Sequence, residues 1–323
     1  MADRDGGRNP AAALTVAEGA ATGRAAAGPP GALSWGGNAV RQDAAWRMIL
    51  RVFTENRLAL TGLIMVVAVA LFCFAGPLLW PTDQVHTNPL QVNKPPSAQH
   101  PLGTTSLGYD VLGRLMVGGQ SSLLVGIAVA VMATGFGVFY GVIAGYFGGP
   151  VDSVLMRIVD IVLAVPVVYL FIDLASVFKP TLLLLIVVLS LLSWLGPARL
   201  VRGETLSLRV REYVQAVKIM GGRSGRIIFR HLVPNTMGTI TVNATFQVAD
   251  AILTLAVLSY LGFSLPPPAA TWGGMLQDGV NFLYDGYWWE VYPAGLMIVI
   301  TVVAFNFIGD GLRDSLDVRL QRR

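Results

Sequence analysis

The sequence predicts an all-α integral membrane protein with six transmembrane helices, and three observations carry that prediction. The 323-residue chain is 54% hydrophobic and only 13% charged, about half the charged share of an ordinary soluble domain. Six apolar runs reach about 20 residues, the length at which a helix crosses a bilayer. The basic residues are also partitioned, because 20 of the 23 Lys and Arg fall in segments on one side of those runs.

Residues 1–43 are rich in Ala and Gly with scattered charges, a composition that buries no core, and they read as a disordered cytoplasmic tail. Over 44–57, Arg47, Arg51 and Arg57 alternate with apolar residues, which predicts an amphipathic helix on the membrane surface. The first span is 58–80. It does not read as a signal peptide, because the segment before it is too long and no small-residue cleavage site follows. Cys73, within it, is the only cysteine, which excludes a disulfide framework or a cysteine-based zinc site. Bulky Phe72 before it also argues against a lipid-modified cysteine.

A polar loop over 81–118 leads to a five-helix core over 119–310. Its spans are expected at roughly 119–145, 158–178, 180–201, 236–262 and 291–310, followed by a tail at 311–323. Six spans place both termini on one side, and the positive-inside rule makes that side the cytoplasm. Seven basic residues precede the first span, one is Arg157, eight lie between Arg199 and Arg230, and four follow from Arg313. The opposite side holds only Lys94, Arg114 and Lys179. The second span repeats a small residue every fourth position, Gly137, Gly141 and Gly145, and so presents a groove for close helix packing. The loop 265–290 carries Trp272, Phe282, Tyr284, Tyr287, Trp288 and Trp289. Such aromatics either anchor at the membrane interface or meet a partner outside.

Several motifs can be set aside. GTTSLGYD at 103–110 has two glycines at phosphate-loop spacing, but Tyr109 stands where the lysine is needed. His86, His100 and His231 are dispersed without metal-ligand spacing. No nucleophile–base arrangement is visible, so nothing here reads as an active site. The informative polar groups lie in the spans, where each costs several kcal/mol unless paired or solvated. Arg157 and Asp160, three residues apart, are expected to pair on one helix face. Asp173 lies about 24 Å further along that helix and either faces a cavity or is hydrated near the surface. Asn243, Gln247, Asp250 and Asn306 suggest a wet pathway or interhelical hydrogen bonds. Asp310 reads as structural.

The stretch REYVQAVKIMGGRSGRIIFRHLVPN at 211–235 is the polar exception in this apolar chain. It resembles the cytoplasmic loop of ABC-importer permeases, whose signature is E-A-A, three residues, G, nine residues, then I-x-L-P. Gln215-Ala216-Val217 stands for E-A-A, Gly221 for the glycine and His231 to Pro234 for the end, with the spacing kept. The resemblance extends over about 250 residues through HPLGTTSLGYDVLGRL at 100–115, AGYFGGPVDSVLMRIVDIVLAVP at 144–166, GPARLVRGETLSLRVREYV at 196–214, SYLGFSLPPPAATWGGML at 259–276 and AFNFIGDGLRDSLD at 304–317. These segments are similar to the C-type, second permease subunit of dipeptide, oligopeptide or nickel importers.

That resemblance implies the type I importer fold and a bacterial plasma-membrane location. It implies a homologous B-type permease partner, two cytoplasmic ATPase subunits and an extracytoplasmic substrate-binding protein. No cofactor is expected on this chain, since ATP and Mg belong to the ATPases. The coupling loop 202–235 is expected to dock a short helix, exposing Val214 and Val217, on an ATPase. Glu212, Tyr213, Gln215, Ala216, Val217, Gly221 and Pro234 carry that role. Glutathione and haem importers share the architecture, so the substrate stays open. A proton- or sodium-driven transporter would use Asp173 and Asp250, but the inverted repeats typical of that class are not visible. A nucleic-acid role for the basic loop is disfavoured, because arginines beside spans already serve topology and anionic lipid.

Overall fold

The computed structural model describes residues 51–166, 169–170, 173 and 177–321. The expected tail at 1–43, and residues 44–50 of the expected surface helix, lie outside these. Residues 51–55 are helical, and Arg51 Nε donates to Glu55 Oε1 at 2.9 Å. Asn56 ends that turn and starts helix α1 (Arg57–Leu79). Its Oδ1 accepts from the amides of Leu58 and Ala59 at 3.0 and 3.2 Å, as an N-cap does. The buried face of α1 is Ala59, Gly62, Val69, Cys73 and Gly76, while Leu63, Ile64, Leu71 and Phe74 are exposed. Small residues thus face the bundle and large apolar ones face outward, the reverse of a soluble helix and the arrangement a bilayer allows.

Helix α2 (Val111–Phe147) is the centre of the bundle. It begins at Val111, before the expected 119, because Asp110 Oδ1 caps the Gly113 amide at 2.8 Å. Gly118, which reads as the last loop residue, is helical together with Gly119, because their missing side chains admit neighbours. A Cβ on Gly119 would stand 2.7 Å from the Trp272 ring. Helix α3 (Gly149–Ala164) follows a turn in which Gly148 has φ +64°, and it stops where Pro166 disfavours helical backbone in the residue before it. The expected third span, 158–178, runs on into residues outside the described set.

Helices α4 (Leu182–Ser193) and α5 (Leu195–Leu208) are nearly continuous. Helix α6 (Glu212–Ile219) and the short α7 (Ser224–Ile227) form the connection to α8 (Val233–Leu258). Wide π-helical turns at Ile228–Leu232 and Ser259–Phe263 flank α8. Helix α9 (Trp272–Val280) lies at the far end of the bundle from α6, and α10 (Tyr292–Gln321) closes the fold. It continues through residues expected as a tail. Among the described residues, five helical stretches are long and apolar enough to cross a membrane: Arg57–Leu79, Val111–Phe147, Leu182–Leu208, Ser224–Phe263 and Trp288–Leu316.

The packing between α2 and α5 follows the glycine spacing. A Cβ on Gly137 would lie 2.8 Å from the Trp194 carbonyl oxygen, and one on Gly145 would lie 2.9 Å from that of Arg202. Gly141 sits between them, against the Ala198 carbonyl and 3.0 Å from the Arg202 amide nitrogen. The two helices therefore meet along two turns, with the glycines of α2 against backbone of α5 and only the first side-chain carbons of Pro197, Val201 and Thr205 beside it.

Ion pairs join α3 to α5. Arg202 grips Asp152 with two nitrogens, the Nη2–Oδ2 contact being 2.6 Å. The expected pairing of Arg157 with Asp160 is not made. Asp160 instead accepts from Arg199 Nη2 at 2.6 Å. Arg199 and Arg202 lie one turn apart on α5, so both forks reach across to the neighbouring helix. Arg202 holds the Asp152 carboxyl below the ordinary aspartate value of 3.8, because the charged form accepts its hydrogen bonds.

Candidate functional site

Glycine geometry sets the length of α6. Met220 is the C-cap, and Gly221 follows at φ +77°, a conformation that side-chain-bearing residues adopt at a cost. The Gly221 amide donates to the Lys218 carbonyl at 3.1 Å and the Gly222 amide to the Val217 carbonyl at 2.9 Å. These two bonds are the Schellman pair that closes a helix C-terminus. At the start, Glu212 places a carboxylate in the first turn, and Lys218 places an ammonium in the last. Both suit the helix dipole. An eight-residue helix is too short to be stable alone in water, so contacts with the spans hold it in place.

Those contacts are specific. Val214 is 2% exposed and packs with Ile227 and Leu232, with Tyr146, Leu208 and Val217 around them. The expected exposure of Val214 is therefore corrected: Val214 is the anchor that seats α6, and Val217 is half-buried. The exposed apolar groups are Tyr213, Ile219 and Met220, with Phe229 beside them on the π-helical turn. Glu212, Gln215 and Ala216 are exposed too. The surface of α6 is thus an apolar edge bordered by charge, whereas its inner side is a plug.

The amide of Gln215 has a definite partner. Its Nε2 donates to the Arg209 carbonyl at 2.9 Å, just beyond the end of α5. The Arg209 guanidinium in turn donates to the Gly145 carbonyl at 3.0 Å, satisfying the C-terminus of α2. Tyr146 Oη bonds Ser224 Oγ at 3.2 Å. Helix α6 is therefore bonded directly to the end of α5, and through Arg209 that end is bonded to the end of α2. A glutamate at 215 has no proton to donate to that carbonyl. The donor requirement, visible only with Arg209 in place, accounts physically for glutamine at this position. Pro234 lies in the first turn of α8 and is exposed, directly after the wide π-helical turn Ile228–Leu232.

The expected pathway residues separate in space. Asn243, Gln247 and Asp250 follow one line along α8, but Gln247 is 9% exposed against the bundle while Asp250 is exposed. Asn243 is half-buried, and its Oδ1 has no hydrogen-bond partner among the described residues. Asn306, on α10, donates to its own Val302 carbonyl at 2.9 Å. Asp173 is helical and exposed. The outward line Asp250, Leu253 and Val257, continued by Tyr260 on the wide turn that follows, makes one face of α8 an apolar stripe with a single acid.

At the far end of the bundle the loop 80–110 folds over α2. His100 Nδ1 meets Asp110 Oδ2 at 2.8 Å. Trp289 Nε1 donates to the Thr104 carbonyl at 3.2 Å. Arg114, 5% exposed, donates to the Pro268 and Ala269 carbonyls at 2.6 and 3.1 Å and lies 4.5 Å from the Tyr109 ring centre. Sequence reading missed this buried cluster, although two acids in the aromatic-rich segment, Asp278 and Glu290, were a signal for it.

Two family descriptions match the chain. "Binding-protein-dependent transport system inner membrane component" covers residues 137–322, and "N-terminal TM domain of oligopeptide transport permease C" covers residues 45–96. The oligopeptide transport system permease protein OppC of Bacillus subtilis (strain 168) is 42% identical over 277 residues, 86% of this chain and 90% of its own length. The dipeptide transport system permease protein DppC of the same organism is 40% identical over 281 residues, 87% of this chain and 86% of its own. The OppC protein of Escherichia coli (strain K12) is 40% identical over 280 residues, 86% and 92% of the two chains.

Proposed function

We propose that this chain, which belongs to the family of inner-membrane components of binding-protein-dependent transport systems, is a permease subunit of an ATP-driven importer for short peptides. The observation that carries the reading is α6, a short exposed helix closed by Gly221 and hydrogen-bonded to Arg209 at the end of α5, which is bonded in turn to the end of α2. Its apolar edge of Tyr213, Ile219 and Met220 suits a groove on an ATPase subunit. A push on α6 would then reach the spans through Arg209 instead of being lost in a slack loop. The names of the relatives, oligopeptide and dipeptide transport permeases, support peptides as the cargo.

In this reading the α6 end is cytoplasmic, with both termini, and the end carrying Glu290 faces outward. The charge partition supports that orientation. A homologous permease completes the pathway, and an extracytoplasmic binding protein delivers substrate. Two ATPase subunits bind ATP and Mg, so this chain holds no cofactor and performs no covalent chemistry. Its own residues couple and conduct. Asp250 and the apolar stripe around it face the second permease.

A deletion strain complemented with this chain tests the reading, with uptake of labelled tri- and tetrapeptides, nickel and haem measured side by side. Peptide uptake restored by the chain, abolished by vanadate and insensitive to a protonophore is the expected outcome. Uptake that collapses with the proton gradient while ATP is maintained would overturn it. Restored uptake of nickel or haem without peptide would remove the cargo assignment alone.

A further inference from the structure

At the end of the bundle opposite α6, a small pocket opens between the loop 105–109, the start of α2, α9 and the short turn Trp288–Glu290 that precedes α10. Leu107 and Asp278 are exposed at its mouth, whereas Tyr109, Arg114, Met275 and Glu290 are buried. The space holds roughly one water-sized group.

The charges inside do not balance. Arg114 is committed to the Pro268 and Ala269 carbonyls and the Tyr109 ring. Asp278 at the mouth lies within its field, and burial still holds that carboxyl above the ordinary aspartate value, with Arg114 opposing. That leaves Glu290. It is 3% exposed, and its Oε2 accepts from the Ser106 amide at a long 3.3 Å. Its Oε1 is buried without any hydrogen-bond partner among the described residues, and it forms none of the ion pairs found there. Native proteins seldom leave a buried carboxylate oxygen unmatched, and here that oxygen belongs to a residue lining an open pocket.

We propose that this pocket receives a primary ammonium group, carried on a lysine side chain of the extracytoplasmic binding protein. The inference rests on the importer reading given above. The available space suits an ammonium, which is about the size of water, and not the broader guanidinium of arginine. Three donors on one compact cation match the carboxylates of Glu290 and Asp278, both of which line the space. Leu107 at the mouth and Met275 within are the apolar lining for the methylene stem, which lysine commonly packs on such surfaces. The ammonium supplies the partner that Glu290 lacks, so docking and satisfaction of the buried acid become one event.

Two measurements on the complete transporter in lipid nanodiscs test this. In the first, thermal unfolding is compared in ethylammonium, potassium and tetramethylammonium chlorides at equal ionic strength. Selective stabilisation by ethylammonium, lost in Glu290→Gln, is expected. Equal shifts with all three salts, or an unchanged preference in the variant, overturn the site. In the second, docking of the binding protein is measured by biolayer interferometry. Glu290→Gln should weaken docking by at least about tenfold, and Leu107→Trp, which blocks the mouth from an exposed position, should do the same. Ethylammonium should compete with docking to the parent protein but not to Glu290→Gln. Docking that is equally tight in both variants overturns the lysine assignment. If no binding protein docks even to the parent while ethylammonium still stabilises it, the importer reading and the lysine source fail, and the ammonium site stands.

Discussion

Placing one methyl group at two points of the same helix separates packing from every other effect of the change. Gly135 and Gly141 are both interior residues of α2, so replacing either by alanine gives the same gain in helix propensity, about 1 kcal/mol. Around Gly135 there is nothing within 4 Å of the added Cβ. At Gly141 the methyl would collide with the Ala198 carbonyl, lie 3.0 Å from the Arg202 amide nitrogen and 3.1 Å from the Val201 Cβ. Two of those three neighbours are backbone and cannot rotate away, so α5 must retreat by a large fraction of an ångström. Overpacking of that kind costs about 1–3 kcal/mol. Because the propensity gain cancels, this is the expected stability gap between the variants, with Gly135→Ala the more stable. Unfolding of the purified chain in mixed micelles, titrated with sodium dodecyl sulfate and followed by circular dichroism, reads the gap directly. Coincident midpoints for the two variants would refute backbone contact between α2 and α5. Gly137→Ala and Gly145→Ala should group with Gly141→Ala.

Three further outcomes follow from the site. Gly221→Val forces a β-branched residue to φ +77° and breaks the closure of α6, so ATP hydrolysis should continue while peptide uptake falls; transport at the parent rate would remove α6 from the coupling role. Gln215→Glu removes the donor to the Arg209 carbonyl, a bond worth about 1 kcal/mol, so the amides of α6 should exchange with deuterium roughly five times faster; unchanged protection would mean the bond is idle. Asp152, whose carboxyl is held below its ordinary value of 3.8 by Arg202, stabilises the fold above that value and loses the contribution as pH falls through its lowered one. Unfolding midpoints should therefore differ between the parent and Asp152→Asn by a constant amount from pH 5 to 8, with the gap closing only below about pH 4; a gap that changes near neutrality would contradict this.

How far the sequence alone reaches depends on the range of the interaction concerned. Spans were legible because hydrophobicity is a property of a window, and Gly221 because a helix must end within its own residues. The start of α2 was not, since the polar stretch up to Gly118 looks like a loop until Trp272 and Met275 fill the space beside that glycine. Asp152 and Asp160 find their arginines 50 and 39 residues away, and local spacing favoured Arg157 instead. The orientation of α6 was misjudged for a similar reason. With so few residues, its apolar positions suit either face, and only the hollow formed by Ile227 and Leu232 decides that Val214 turns inward. Glu290 was not singled out in the sequence, because its orphaned oxygen exists only once the loop 105–109 folds over it.

The contact between α2 and α5 also limits which motions the protein can make. Where the glycines of α2 sit against carbonyls and the first side-chain carbons of α5, little room is left for re-packing, so the two helices travel as one beam. Alternating exposure of a pathway then has to arise where the chain bends freely. The described structure offers such places at the end of α3 before Pro166 and at the wide turns on both sides of α8, where Gly262 has φ +97°. The glycines that look like permissive positions in the sequence make the stiffest part of the protein, and the joints lie beside it.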